Sequence, residues 1–227
     1  MVNERTDTGR DHVPRRGLVT PTSPSRQLAA AAVDLFYRQG ATATTVREIT
    51  HACGLTVGAL YNHFSSKDEL LFTVIRDMHL GLEQATERAQ SAACGDVERL
   101  TAIVRVYVEQ HAHHRKSSRV ANREYTRLRG ERRDEIVAIR RRLRGRLAQV
   151  LLAGWRSGDF DLGPRASGDE TADLVEATVV ARAILDMCVH VSAWFHEGGP
   201  LTTAQLQDRY VRLALLMAGA DDGARAE

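Results

Sequence analysis

Residues 45–64 read TVREITHACGLTVGALYNHF, two short helical phrases separated by Cys53-Gly54-Leu55. Thr45 can accept a backbone N–H at a helix start while Glu48, three residues on, returns the bond, so the pattern predicts a helix opening at Thr44 or Thr45. Val46 and Ile49 form its buried pair. Gly54 supplies the positive φ that a sharp turn needs, Leu55 plugs the angle, and Thr56 opens the next helix. Within that helix Leu60 and Phe64 lie four apart on one face, which leaves Val57, Gly58, Tyr61, Asn62 and His63 on or near the other.

Working outward, Leu28, Ala32, Leu35 and Phe36 recur at helical spacing after Ser25, a plausible cap, until Gly40 stops the run. Downstream, Ser66-Lys67-Asp68-Glu69 is a second capping box, opening a long helix that carries Leu70, Leu71, Val74 and Ile75. The remaining pattern predicts helices over 67–92, 96–116, 117–130, 131–157, 169–195 and 202–219, with one long loop around Gly163-Pro164. The fold class is all-α. A flexible arm (1–25) leads into a three-helix domain (26–70), then a helical bundle (71–220) and a short flexible tail (221–227).

The composition agrees, with 43% apolar residues, 5% aromatics and five prolines in 227 residues. A net charge of +2 hides an asymmetry: residues 115–146 hold 13 Lys or Arg against 4 acids, and residues 147–227 hold 6 against 12. Three cysteines without a CxxC fit a reducing compartment. The polar, proline-bearing start is neither a signal peptide nor a membrane anchor, so the chain is expected in the cytoplasm with no membrane partner. GxSxG, P-loop, GxGxxG and HExxH motifs are all absent, which argues against an enzyme, and no cofactor is expected.

A helix that opens on Gly58 and Ala59 is narrow enough to enter a major groove about 12 Å wide by its N-terminal residues. Thr56, Tyr61, His63 and Lys67 can donate to phosphates or base edges, and Thr44, Thr45 and Arg47 can serve the flanking backbone. Val57 and Gly58 suit thymine methyls. Residues 27–67 carry a charge of only +1, so dimerisation and the arm residues Arg10, Arg15, Arg16 and Arg26 would have to strengthen the grip.

The run Thr45-Val46-Arg47-Glu48-Ile49, then residues 54–64, then Lys67-Asp68-Glu69-Leu70, resembles the TetR/AcrR family of regulators. Cys53, where alanine is common, and His51 depart from the family pattern. The resemblance implies a DNA-binding head, a ligand-binding body and a homodimer built on the last two helices, which would bind a near-palindromic double-stranded operator and release it on binding a small-molecule effector. Asn122-Arg123-Glu124, Arg132-Arg133-Asp134-Glu135 and residues 194–202 look like the branch tied to fatty-acid and sterol breakdown, whose members sense acyl-CoA thioesters. That implies an acyl-CoA or similarly hydrophobic effector.

In the body, Leu206, Tyr210, Leu213 and Met217 form one stripe, the candidate dimer face. The bulky residues Met78, Tyr107, Tyr125, Trp155, Met187 and Trp194 are candidate pocket walls. The run Arg140-Arg141-Arg142-Leu143-Arg144 could be a solvated face, a partner for the acidic C-terminal half, or a cradle for an anionic effector. His111 and His114 share a helix face, but spacing alone is a weak metal signal, so no metal site is assigned. A plain helical subdomain, a constitutive DNA binder without effector and a helical enzyme are the competing readings.

Overall fold

A computed structural model describes residues 23–164 and 169–220; the tail and residues 1–22 of the arm expected from sequence lie outside the described residues, while Pro24 and Ser25, assigned to that arm, open the first helix instead. Nine α-helices and one 3₁₀ turn account for the described chain: α1 Pro24–Ala43, α2 Val46–Ala52, α3 Val57–Tyr61, α4 Lys67–Ser91, α5 Asp96–His113, α6 Arg115–Glu124, the turn Tyr125–Arg127, α7 Gly130–Ser157, α8 Glu170–Trp194 and α9 Thr203–Met217.

The head folds as its capping chemistry dictates. Thr45 accepts from the Glu48 N–H (3.2 Å) while the Glu48 carboxylate accepts from the Thr45 N–H (2.7 Å), closing the box that starts α2. Gly54, at φ +67°, makes the turn into α3. Leu28, Phe36, Ile49, Leu60 and Leu70, all fully buried, join α1, α2, α3 and the start of α4 into one core. At about 1.5 Å per residue, the 25-residue α4 runs roughly 37 Å and carries the head into the body.

There α5 lies centrally, packed on α4, α7, α8 and α9, while α6 bridges α1 and α4. Gly154 in α7 lets the buried Phe160 ring lie against the helix backbone; a Cβ there would sit 2.3 Å from the ring.

Several boundaries differ from expectation. Helix α3 ends at Tyr61, so Asn62, His63 and Phe64, expected inside it, follow in a turn. The first helix begins at Pro24, ahead of the expected cap Ser25, and after a break at Gly40 (φ 81°, ψ 158°) it resumes to Ala43. The second body helix ends at His113 because His114 leaves helical geometry. The third ends at Glu124 rather than near 130, as the chain tightens into the 3₁₀ turn and tucks Leu128 into the core.

Candidate DNA-binding face and ligand cavity

Helix α3 is held from behind by Leu60 and Phe64, both buried, and turns its other side outward. Val57, Gly58, Asn62 and His63 are exposed, Ala59 is half-buried, and Tyr61 is 54% exposed, a high value for so large a ring. Thr56 caps the helix by accepting from the Ala59 N–H (3.2 Å), which leaves its own hydroxyl proton free to donate outward.

Gly58 has no internal reason to be glycine. Its φ is not positive, and an added Cβ would meet only Thr56 Oγ1 at 3.9 Å. A helical glycine costs about 1 kcal/mol relative to alanine, so the missing side chain serves whatever approaches from outside.

Thr45 and Arg47 are exposed at the start of α2, but Thr44 is not. At 1% exposure its hydroxyl donates back to the Gly40 carbonyl (2.8 Å), so the break at Gly40 consumes it and the expected phosphate contact by this side chain is withdrawn. Lys67 is also partly committed. Its ammonium donates to the carbonyls of Ala41 (2.7 Å) and Thr44 (2.6 Å), clamping the start of α4 to the end of α1, with one of its three protons left over.

The body holds a cavity of ≈ 150 Å³, open to the surface, among α4, α5, α6, α7 and α8. Met78, Tyr107 and Tyr125 line it, whereas three other expected wall residues do not. Trp155 is buried in the core, Met187 packs against it, and Trp194 stands 47% exposed at the end of α8, its ring edge-on to Phe195.

The cavity's chemistry comes instead from residues hidden inside apolar stripes. Arg140 donates to His79 Nε2 (3.1 Å) and to Asn122 Oδ1 (2.8 Å), and its guanidinium lies 4.3 Å above the Tyr125 ring. His79 Nδ1 and His111 Nδ1 donate to the carbonyls of Ile75 and Tyr107, four residues earlier on the same helices. Asn122 Nδ2 reaches His111 Nε2 at 3.5 Å, completing the chain. Burial, then the charge of Arg140, pushes both histidines down to about 4, so both are neutral near pH 7 and accept from their neighbours. Among the described residues no carboxylate pairs with Arg140. A polar residue four along from Ile75 or Tyr107 in an apolar row was the sequence signal for these histidines.

The arginine run divides by helical phase. Arg140 and Arg144 line the cavity, Arg142 pairs with Glu83 (2.7 Å) on α4, and Arg141 is exposed. Among the histidines near 113, His111 faces the cavity while His113 pairs with Glu197 (3.0 Å).

The proposed dimer stripe is also divided. Leu206 (1% exposed) and Tyr210 are buried within the chain, because α9 packs that side on α5. The outward apolar residues are Leu213, Leu216 and Met217 on α9, with Leu174, Val175 and Val179 on α8.

Residues 28–74 match the model of bacterial regulatory proteins of the tetR family, and residues 94–218 match that of the Tetracyclin repressor-like C-terminal domain. The chain is 27% identical over 200 residues to the HTH-type transcriptional repressor KstR2 of Mycolicibacterium smegmatis, covering 86% of this chain and 92% of the relative. A tetR-family regulatory protein from Rhodococcus RHA1, 30% identical, superposes with a TM-score of 0.77 over 89% of this chain and 100% of that one. The ketosteroid transcriptional regulator KstR2 of Mycobacterium tuberculosis, 27% identical, superposes at 0.76 over 88% and 97%. AibR, at 24% identity and a TM-score of 0.72 over 87% and 100%, shares the fold. With a helix-turn-helix head and a helical body both matched, this chain belongs to the tetR family of DNA-binding transcriptional regulators.

Proposed function

We propose that the chain is a homodimeric repressor that reads a near-palindromic operator with α3 and lets it go when a compact, anionic acyl compound of the acyl-CoA type enters the body. The observation that carries the DNA reading is Gly58, a costly helical glycine with nothing inside the protein to account for it. Val57, Tyr61, Asn62 and His63 share its outward face, and Thr45, Arg47 and the free proton of Lys67 supply phosphate contacts at its edges.

The effector reading rests on Arg140. An arginine in no ion pair, beside neutral histidines, suits an anionic or strongly accepting group; Asp186, the one acid lining the cavity, is paired with Arg182 (3.6 Å). Arg144 stands at the same cavity and suits the phosphates of a larger carrier, with Arg182 beside it holding Asp186. A volume of ≈ 150 Å³ accommodates a body of benzene size, well below the roughly 300–1,000 Å³ of a pocket for drug-sized ligands, so a short acyl group fits better than a steroid or long chain. AibR has been solved with isovaleryl coenzyme A and operator DNA, which favours the same ligand class.

Release requires only that the ligand prefer one head spacing over another by a few kcal/mol. Footprinting on the chain's own promoter region should give a protected operator that short-chain acyl-CoA exposes and that free CoA and long-chain acyl-CoA leave covered. Equal release by all three, or by none, discards the effector reading.

Val175, Val179, Leu213, Leu216 and Met217 form the proposed dimer face, since α8 and α9 both pack on α5 and touch each other. Leu216→Glu together with Val179→Glu should convert a dimer into a monomer in sedimentation at micromolar concentration and weaken operator binding accordingly. A wild-type chain that sediments as a monomer removes this part of the proposal.

A further inference from the structure

A second cationic site lies where the head meets the body. Ala41, Thr42, Lys67, Asp68 and Leu71 form one wall of a groove of ≈ 650 Å³, and residues 126–129 with Arg132 form the other. Lys67, Arg127, Arg129 and Arg132 thus face a space in which Asp68 is the one acid among the lining residues. Arg127 is partly neutralised by the buried Glu124 (3.6 Å), and Arg132 lies over the Phe72 ring at 5.6 Å. Arg129 is exposed and carries no ion pair among the described residues.

The loop that presents Arg129 is firmly held. Leu128 is buried, Glu124 gathers both Arg123 and Arg127, and Arg123 donates to the Phe36 carbonyl of α1. An arginine on so fixed a loop loses little freedom when it binds a phosphate.

The groove also borders the elements that frame α3. Lys67 starts α4 six residues after Tyr61, and its two carbonyl partners lead directly into Thr45 and α2. The head itself carries +1 over residues 27–67, too little for a firm electrostatic hold on a duplex. A body-borne cation beside the starts of α2 and α4 supplies what the head lacks.

We infer that Arg129, with Arg132 and Lys67, is a backbone-phosphate site through which the body, and not the head alone, grips operator DNA. The inference rests on the reading of α3 as the recognition helix. It adds a contact that is blind to sequence and follows the relative placement of head and body, so a ligand that changes that placement also changes the grip.

The test is operator binding by the full chain across a range of salt concentrations. Arg129→Gln should lower the salt slope by about 0.9 per protomer and weaken binding about fivefold per lost contact at 0.15 M salt, equally for operator and scrambled duplex. Arg141→Gln, which removes the same charge from an exposed position that does not line the groove, should leave the slope unchanged. Tyr61→Ala reports separately on the recognition face: it should erase the preference for operator over scrambled DNA and keep most of the slope. An Arg129→Gln slope equal to wild type overturns the phosphate site even where Tyr61→Ala behaves as stated. So does a variant that loses only sensitivity to added tripolyphosphate, which would make the groove a small-anion site.

Discussion

Arg140→Gln is expected to leave the protein bound to its operator in the presence of acyl-CoA. In the wild-type chain the guanidinium spends two donors on His79 and Asn122 and rests on Tyr125, yet forms no ion pair among the described residues, the cavity's Asp186 being held by Arg182. Its charge is therefore only partly compensated, and an incoming thioester or carboxylate oxygen gains a charge-assisted bond of about 1.5–3 kcal/mol, roughly ten- to a hundredfold in affinity. Glutamine keeps a donor for His79 or Asn122 but removes the charge. Effector affinity should fall by that factor while operator affinity in the absence of effector stays within about twofold; Arg140→Lys, which keeps the charge without the planar fork, should fall between. Calorimetry with short-chain acyl-CoA reads the first quantity and band shifts the second. An unchanged heat of binding in Arg140→Gln would falsify the assignment.

The same network sets an acid limit on the fold. His79 and His111 sit at about 4, below the unperturbed 6.5, so between these values the unfolded chain holds protons that the folded chain refuses. Stability is complete above about pH 6.5 and declines as pH falls toward 4, by about 1.4 kcal/mol per pH unit for each histidine. The offset between thermal melts of wild type and His79→Gln should be constant above about pH 6.5 and shift below it against wild type; an offset that stays constant down to pH 4 would mean the ring is not buried neutral.

What was legible in sequence was local and chemical. Thr45 and Glu48 located α2 because a capping box satisfies two backbone donors at once, and Gly54 located the turn because few residues accept positive φ. The failures came where tertiary packing chose among equivalent readings. The α9 stripe is periodic, but the helix is apolar on two sides, and only the position of α5 decided that Leu206 and Tyr210 turn inward while Leu213 and Met217 stay out. Thr44 looked like a free hydroxyl because nothing local announces that Gly40 returns its carbonyl to it. Trp155 and Met187 are as bulky as Met78 and Tyr107, and size cannot tell a filled interior from a cavity wall. The arginine run was half legible: Arg140 and Arg144 share one helical row, and Arg142 falls on a different one, but which row met a cavity and which met the acids of α4 depended on neighbours more than 50 residues away.

Tyr61→Ala should abolish operator recognition, costing about 1–3 kcal/mol in each half-site and hence roughly double that in the dimer. The ring is 54% exposed at the end of α3 and makes no contact that the fold depends on, so the melting temperature should hold while the preference for operator over scrambled DNA disappears. Gly58→Ala is its counterpart with opposite signs. The new methyl meets nothing closer than 3.9 Å and relieves a helical glycine, so the fold should gain up to about 1 kcal/mol, yet the methyl protrudes into the space a base edge must occupy and operator binding should weaken. Lys67→Ala separates from both, because it removes the clamp on Ala41 and Thr44 along with the proposed phosphate contact: binding should drop uniformly across sequences and the head should melt earlier. Full operator affinity in both Tyr61→Ala and Gly58→Ala would mean that the outward side of α3 does not face DNA, since neither substitution has a structural route to being silent there.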